Sequence, residues 1–463
     1  LDKKALITHA TPLIAATTNT SADSLGMLEV LLDEAQARLM SGDSNVEPSS
    51  LLHVAQTDGA TPLIIAATHG DHGKVKAILE AYTVNPTNAD GIPDAIVAIG
   101  NVAEELGFNA IHAAAARGHL EVLRLLLALS ALKVDTYDCA EAVAKCVNSS
   151  GGESLSATPL DLACMWNHTN CALLLMQHKA AVNSLTSRLA GPLTYAVFNG
   201  NEAVVSALLT AGAKNYHELL PPAIDKSRPS ESVTPFQFAE KLPPLHLAAY
   251  LGDFAIVKKL FDSWPVLKRS KTTTTNKKDS TDNTDDDQSG EFVNQYKDMD
   301  GHSVVDILAQ VYRLTLEYVL DVVPTTELPK RLLMAVEERV DRDSEDIYLQ
   351  LCPGRAMYKE ALRSYLRSLG YDQRFGRHFN TICDVYFHRA DTNKDGEISL
   401  EEFRVWFHDF ALFRTKVEFY SRVRRGGAKS LLSLYSSHFL FFFASLDCRH
   451  FVFYVCLGGC LRY

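Results

Sequence analysis

A short run recurs along most of this chain, and a recurring unit decides a fold before any local pattern does. Thr61-Pro62-Leu63-Ile64-Ile65-Ala66-Ala67 is followed by His69-Gly70-Asp71 and then Val75, Ile78 and Leu79. Asn109-Ala110-Ile111-His112-Ala113-Ala114-Ala115 precedes Gly118-His119-Leu120-Glu121-Val122 and Leu125-Leu126-Leu127. Thr158-Pro159-Leu160-Asp161-Leu162-Ala163 precedes Leu173, Leu174 and Leu175, and Gly191-Pro192-Leu193-Thr194-Tyr195-Ala196 precedes Asn199-Gly200-Asn201 and Val204-Val205. Pro243-Pro244-Leu245-His246-Leu247-Ala248-Ala249 precedes Gly252-Asp253 and Ile256-Val257. Thr11-Pro12-Leu13 opens a further unit, and Asp298 to Ala309 forms a degenerate last one.

Each residue of the unit has a physical task. Threonine caps a helix and proline takes its first position, where a missing N–H costs nothing. The alanines let two helices approach closely. The glycine ends the first helix in a left-handed turn. The paired leucines of the second helix bury against the next unit. The pattern resembles the ankyrin repeat, whose signature is T-P-L-H-x-A-A, a Gly-His or Gly-Asp turn and a V-x-x-L-L helix. The resemblance implies a mainly α fold, an α-solenoid of about seven repeats over residues 5–320, and recognition of other proteins. The spacing departs from the family. Pro159 to Pro192 spans the usual 33 residues, but Pro12 to Pro62 spans 50, Ala110 to Pro159 spans 49 and Pro192 to Pro244 spans 52. Insertions of about half a repeat therefore interrupt the stack, among them Asp135 to Ala157 and Tyr216 to Lys241. One segment, Lys268 to Gln288 within a loop of about 268–290, runs from basic through threonine-rich to Asp285-Asp286-Asp287. Without aromatic or branched apolar residues it reads as a solvated, disordered linker.

A second motif carries the chemistry. Asp391 to Glu402 reads D-T-N-K-D-G-E-I-S-L-E-E. Asp391, Asn393 and Asp395 stand at loop positions 1, 3 and 5 and offer side-chain oxygens. Gly396 permits the sharp turn at position 6, and Glu397 at position 7 ligates through its backbone carbonyl. Ser399 ligates weakly or through water, and Glu402 at position 12 can supply both carboxylate oxygens. Ile398 suits a short β-bridge to a partner loop. Before the loop, Phe379, Ile382, Cys383, Tyr386 and Phe387 share a helical face; after it, Phe403, Trp406, Phe407 and Phe410 do so. The stretch resembles the EF-hand, in a calmodulin-like module over residues 325–415. That resemblance implies calcium (Ca2+) held by Asp391, Asn393, Asp395, Glu397, Ser399 and Glu402.

EF-hands pair, and the partner loop reads as degenerate. Gly354 and Glu360 would be its positions 6 and 12, which frames it from Leu349 to Glu360. Leu349, Leu351 and Pro353 then replace the first three ligands and cannot bind a hard cation. A frame starting at Asp341 lacks both glycine and terminal glutamate. The aromatic faces around the complete loop admit two readings. They form a groove that calcium uncovers, or they bury against the degenerate hand or the last repeat.

Other constellations point to no reaction. Cys164, His168 and Cys171 have metal-like spacing, but in the repeat frame His168 is a turn residue and Cys171 replaces a buried valine. No nucleophile, kinase or dinucleotide motif is present, so an enzyme is not expected within this stretch. A net charge of −11 without a basic, aromatic-interleaved patch argues against nucleic acid. Nine scattered cysteines fit a reducing, cytoplasmic location. The chain begins at Leu1, so a preceding segment is expected. Residues 431–463 hold an apolar run broken by Asp447, Arg449 and His450, too short on either side to span a bilayer. A frame or intron error explains such a tail best, with a membrane-associated tail the alternative. The expectation is a calcium-binding, protein-recognising scaffold. The alternative is the regulatory region of a membrane-associated or larger multidomain protein, a channel or an enzyme.

Overall fold

In the computed structural model, residues 11–21, 23–40, 59–83, 92–103, 107–134, 137–152, 155–188, 190–214, 235–263, 297–298, 301–321, 330–353 and 356–434 are described. The linker expected at 268–290 and the tail beyond 434 lie outside them. The chain divides into two compact units, Leu1–Pro222 with Ala239–Pro244, and Ala223–Phe238 with Leu245–Tyr463. Among the described residues the fold is helical, with isolated β-bridges only.

Among the described residues the first unit holds five helix pairs: Pro12–Thr18 with Ser24–Met40, Pro62–His69 with His72–Thr83, Ala110–Arg117 with Leu120–Ala128, Pro159–Met165 with Thr169–Gln177, and Pro192–Phe198 with Glu202–Thr210. The first helices stack on one another in chain order, and the second helices do the same. The caps form where the sequence placed them. Thr11, Thr61, Asn109 and Thr158 each accept the amide three residues on. Pro12, Pro62, Pro159 and Pro192 occupy the first turns. Leu63, Ile111, Leu123, Leu126, Leu160 and Val205 are at 0% exposure, each such side chain stabilising the stack by about 1.5–3 kcal/mol.

Two of the half-repeat insertions are helices, Asp94–Gly100 and Cys139–Val147, which pack on each other. Asp138 caps the second by accepting from the Glu141 amide. They bury Ile96, Ile99, Val143 and Val147. These two interruptions are thus packed additions to the stack; of the expected insertion Tyr216 to Lys241, the part before 235 lies outside the described residues.

The repeat turns show why glycine stands there. Gly70 and Gly118 have φ of 74° and 75°. A Cβ on either would fall 2.4 Å from a ring nitrogen of the next repeat's histidine, His119 or His168. Those histidines donate from Nε2 to the Thr68 carbonyl at 3.0 Å and the Ala116 carbonyl at 3.1 Å. Each turn is therefore closed by a ring from the following repeat, bonded to the carbonyl two residues before the glycine.

From Leu245 on, the second unit takes in the pair Pro244–Leu251 and Phe254–Ser263, followed by Val304–Ile307, a π-turn over Leu308–Tyr312, and Leu316–Asp321. Ser303 caps its helix through Asp306 in the same reciprocal way. Lys330–Leu351, Lys359–Ser368, Phe379–Ala390 and Leu400–Leu434 then form two helix–loop–helix elements. Their aromatic core is stacked: Phe403 lies 5.5 Å from Phe407 and 5.6 Å from Tyr348, and Trp406 lies 4.9 Å from Phe410. Among the described residues no helix is long and apolar enough to cross a membrane.

Candidate metal centre

The helix Phe379–Ala390 stops at Asp391, whose ψ of 88° leaves the helical region. Its Oδ2 then accepts the Gly396 amide at 3.0 Å, drawing the loop into a ring. Gly396 sits at φ +88°, and Lys394 reaches φ +60°, uncommon for a residue with a Cβ. The Lys394 ammonium donates to the His388 carbonyl, which ties that strained corner back to the helix. Inside the ring, Asn393 Oδ1 accepts the Asp395 amide at 2.9 Å and Asp395 Oδ1 accepts the Glu397 amide at 2.9 Å. These side-chain turns hold the oxygens of positions 3 and 5 on the inner side of the bend.

Ile398 leaves the ring as a bridge residue. It exchanges amide and carbonyl with Met357, at 2.9 and 3.2 Å. Ser399 caps the exiting helix and pairs reciprocally with Glu402: the Ser399 amide and hydroxyl donate to Glu402 Oε2 at 3.0 and 2.9 Å. Glu402 Oε1 accepts the Thr392 hydroxyl at 2.6 Å and the Thr392 amide at 2.9 Å. Burial would raise this carboxyl, but the bonds from Thr392 and Ser399 outweigh it and hold it down to about 2. Glu402 thus links the first residues of the loop to its last. The Glu397 side chain points away and accepts from the Tyr358 hydroxyl at 2.7 Å, leaving its carbonyl to the loop.

Asp391 decides what the loop is fitted for. The residue is 5% exposed, and its Oδ1 has no hydrogen-bond partner. A buried carboxylate oxygen left unpaired costs roughly 1–3 kcal/mol or more. A hard cation removes that cost, and the nearby donors of the loop are all oxygens, as such a cation requires. The donor set therefore fits a calcium ion. Among the described residues, no three His, Cys, Asp or Glu side chains converge closely enough to hold a metal as they stand. Glu402 is instead turned to its capping partners.

The neighbouring loop differs in register from the frame Leu349 to Glu360. Pairing of Met357 with Ile398 makes Met357 the eighth position, so the loop runs from Gln350 to Ala361. The frame moves by one because the helix Lys330–Leu351 continues into the loop. Cys352 then holds position 3 and Ala361 position 12, so no oxygen side chain stands at either. Thr392 and Lys394 were not legible as functional positions; Thr392 follows the first ligand and offers no metal-binding signature of its own.

The other sequence candidates serve the repeats. His168 bonds the Ala116 carbonyl, while Cys164 and Cys171 are buried thiols that burial pushes upward. His112 closes a capping box with Asn109 and reaches the Ser149 carbonyl at 3.0 Å. His246 is buried in the last repeat.

Two family models match the regions read as repeats and as the loop. The family described as ankyrin repeats (3 copies) matches residues 39–138, 92–186 and 135–219. The family described as EF hand matches residues 384–408, which enclose the loop. Among solved structures, the ankyrin repeat domain of human ASB11 is 17% identical, with 69% of this chain and 100% of that chain covered at a TM-score of 0.38. The ankyrin repeat domain of Bcl-3 is 17% identical, with 68% and 98% covered at a TM-score of 0.39. No curated protein matches the chain. The chain carries ankyrin repeats and an EF-hand, families of interaction and binding modules.

Proposed function

We propose that this chain binds one calcium ion through the loop Asp391 to Glu402 and presents its repeat stack to a protein partner. The observation that carries the calcium reading is the buried, unpartnered Oδ1 of Asp391. Asp391, Asn393 and Asp395 would ligate through side chains, Glu397 through its carbonyl, Ser399 weakly or through water, and Glu402 through both oxygens after leaving its caps. A bound ion would supply a double positive charge to a loop whose candidate ligands include three carboxylates, Asp391, Asp395 and Glu402. The chain's own part is to hold the ring: Gly396 and Lys394 bend it, Thr392 receives Glu402, and the Met357–Ile398 bridge steadies it against the first, degenerate hand. That hand contributes packing and no ligands.

Calorimetric titration of the full chain with calcium tests this. One ion per chain is expected, and two equal sites would overturn the reading of the first loop as degenerate.

A further inference from the structure

The face of the EF-hand is already occupied within its own unit, and its occupant is the turn between the helices Pro244–Leu251 and Phe254–Ser263. At Gly70 and Gly118 the turn is closed by a ring from the next repeat. At Gly252, with φ of 76°, two rings converge. Tyr312 donates its hydroxyl to the Tyr250 carbonyl at 2.6 Å, two residues before the glycine, as His119 and His168 do at their turns. Phe413, on the exiting helix of the hand, lies where a Cβ on Gly252 would fall, 2.6 Å away. Its ring packs 5.9 Å from Phe254 and 5.7 Å from Tyr312. The exiting helix thus adds a second ring to a turn that the degenerate repeat after it already closes through Tyr312.

The entering helix holds the same turn from another side. Arg389, two residues before Asp391, pairs with Asp253 at 2.8 and 3.3 Å, and both side chains are largely shielded. Tyr386 reaches the Leu251 carbonyl at 3.5 Å. Four consecutive residues, Leu251 to Phe254, therefore touch both helices that flank the calcium loop. A sensor hand opens by turning those helices some 40° apart. Such a rotation would break either the Phe413 contact or the Arg389 pair.

We propose that the hand is a calcium-tightened clamp on the Pro244–Ser263 repeat, bracing the end of the stack rather than opening a groove. The proposal rests on the calcium reading above and names what that site regulates. The docked arrangement already holds the ring closed and leaves Asp391 Oδ1 unpartnered, so that Glu402 alone has to leave its caps for calcium to bind the docked form best. Linkage then requires that calcium strengthen docking by the factor by which docking strengthens calcium binding.

The test combines calorimetric calcium titration of the full chain with amide hydrogen exchange over residues 245–263. Calcium should slow exchange there. Phe413→Ala lies far along the helix from the loop and changes no charge; it should weaken calcium binding about fivefold, at the low end of ordinary coupling, and abolish the slowing. Val405→Ala, at a position 66% exposed on the same helix, should change neither. If Phe413→Ala loses helical signal, Phe413→Leu, which keeps apolar bulk but loses reach over Gly252, carries the same test. Calcium that binds while exchange over 245–263 is unchanged or faster overturns the clamp and leaves the calcium site standing. An unchanged affinity in the folded Phe413 variant also overturns the clamp. Absence of any calcium binding overturns the site itself and the clamp with it.

Discussion

At the head of a repeat and at the head of the hand's exiting helix the chain uses one device. A hydroxyl accepts the third amide of the helix, and an acid three residues on bonds back: Thr158 with Asp161, and Ser399 with Glu402. Around them the accounts differ. Both oxygens of Asp161 are satisfied by its own chain: Oδ2 accepts the Thr158 amide and hydroxyl at 2.9 and 2.8 Å, and Oδ1 accepts the Ser184 hydroxyl at 3.2 Å. In the loop, Asp391 keeps one buried oxygen unpaired. A repeat is complete as folded, whereas the loop is arranged for something the chain does not contain. The contrast also separates folding from binding within the module. The degenerate hand keeps its bridge and aromatic packing while lacking ligand side chains, so packing builds the hand and oxygen placement gives it a use.

The largest effect should come from the packing both hands share. Phe403 is fully buried and touches Tyr348 of the degenerate hand as well as Phe407. Phe403→Ala should cost about 3–5 kcal/mol of module stability. Denaturant unfolding followed by Trp406 emission, with Trp166 and Trp264 replaced by Phe, measures it. A loss under 1 kcal/mol would mean that the hands do not share a core.

Glu402→Gln comes next. It removes charge from the one residue that joins both ends of the loop. Calcium affinity should fall by more than the roughly 10–100-fold that altering a supporting residue costs. Glu397→Gln should change it little, because that side chain bonds Tyr358 and only the carbonyl faces the loop. Equal losses from the two changes would refute the proposed ligand set.

Much of this was written in the sequence. The Thr-Pro starts, the turn glycines and the Asp391 to Glu402 loop follow short-range rules in which each residue answers to a neighbour three or four away. The inserted helices Asp94–Gly100 and Cys139–Val147 were visible only as extra length, being too short for an apolar period to stand out. The register of the first loop slipped by one because glycine and glutamate were counted, while the structure counts from the Met357 bridge. Arg389 with Asp253, and Phe413 over Gly252, join residues some 140 and 160 positions apart, and no local pattern marks such a pair. The sequence left open whether the aromatic faces were groove or core. Phe403, Phe407 and Phe410 are buried, which favours core.

The repeat side of the contrast has a pH signature. Burial pushes His112 down to about 4 from 6.5, against the opposing bonds to the Ser149 and Ala157 carbonyls. Its folded value is depressed, so its contribution is fully present above pH 6.5 and is lost as pH falls toward 4. Burial pushes Asp161 the other way, from 3.8 to about 6, so its contribution is present below 3.8 and lost as pH rises through 6. The two slopes oppose each other between pH 4 and 6. Asp161→Asn should cost about 1–3 kcal/mol at pH 7, because the amide nitrogen that replaces Oδ1 cannot accept from the Ser184 hydroxyl. It should also steepen the acid loss of stability, since only the His112 slope remains. Unfolding midpoints from pH 4 to 7 read this, and a shallower profile in the variant would contradict the assignment.

The same substitution at Asp391 should have the smallest effect on folding, and without calcium an opposite sign. Asp391→Asn keeps an oxygen that can accept the Gly396 amide, so the ring still closes. It removes a charge from a loop where Asp395 and Glu402 are also acidic, and it takes away a buried carboxylate oxygen that no group of the chain satisfies. In chelator, the variant should match the parent within about 0.5 kcal/mol or exceed it, as a change that breaks no satisfied bond should. In calcium the order reverses. At a concentration one hundred times the dissociation constant, binding adds about 2.7 kcal/mol to the parent and almost nothing to a variant that has lost its first ligand. Thermal unfolding of both proteins in chelator and in calcium reads the crossing directly. Should Asp391→Asn cost as much in chelator as Asp161→Asn costs in the repeat, the unpaired oxygen is doing structural work inside the apo loop, and the contrast between a self-satisfied turn and a loop built for an ion fails.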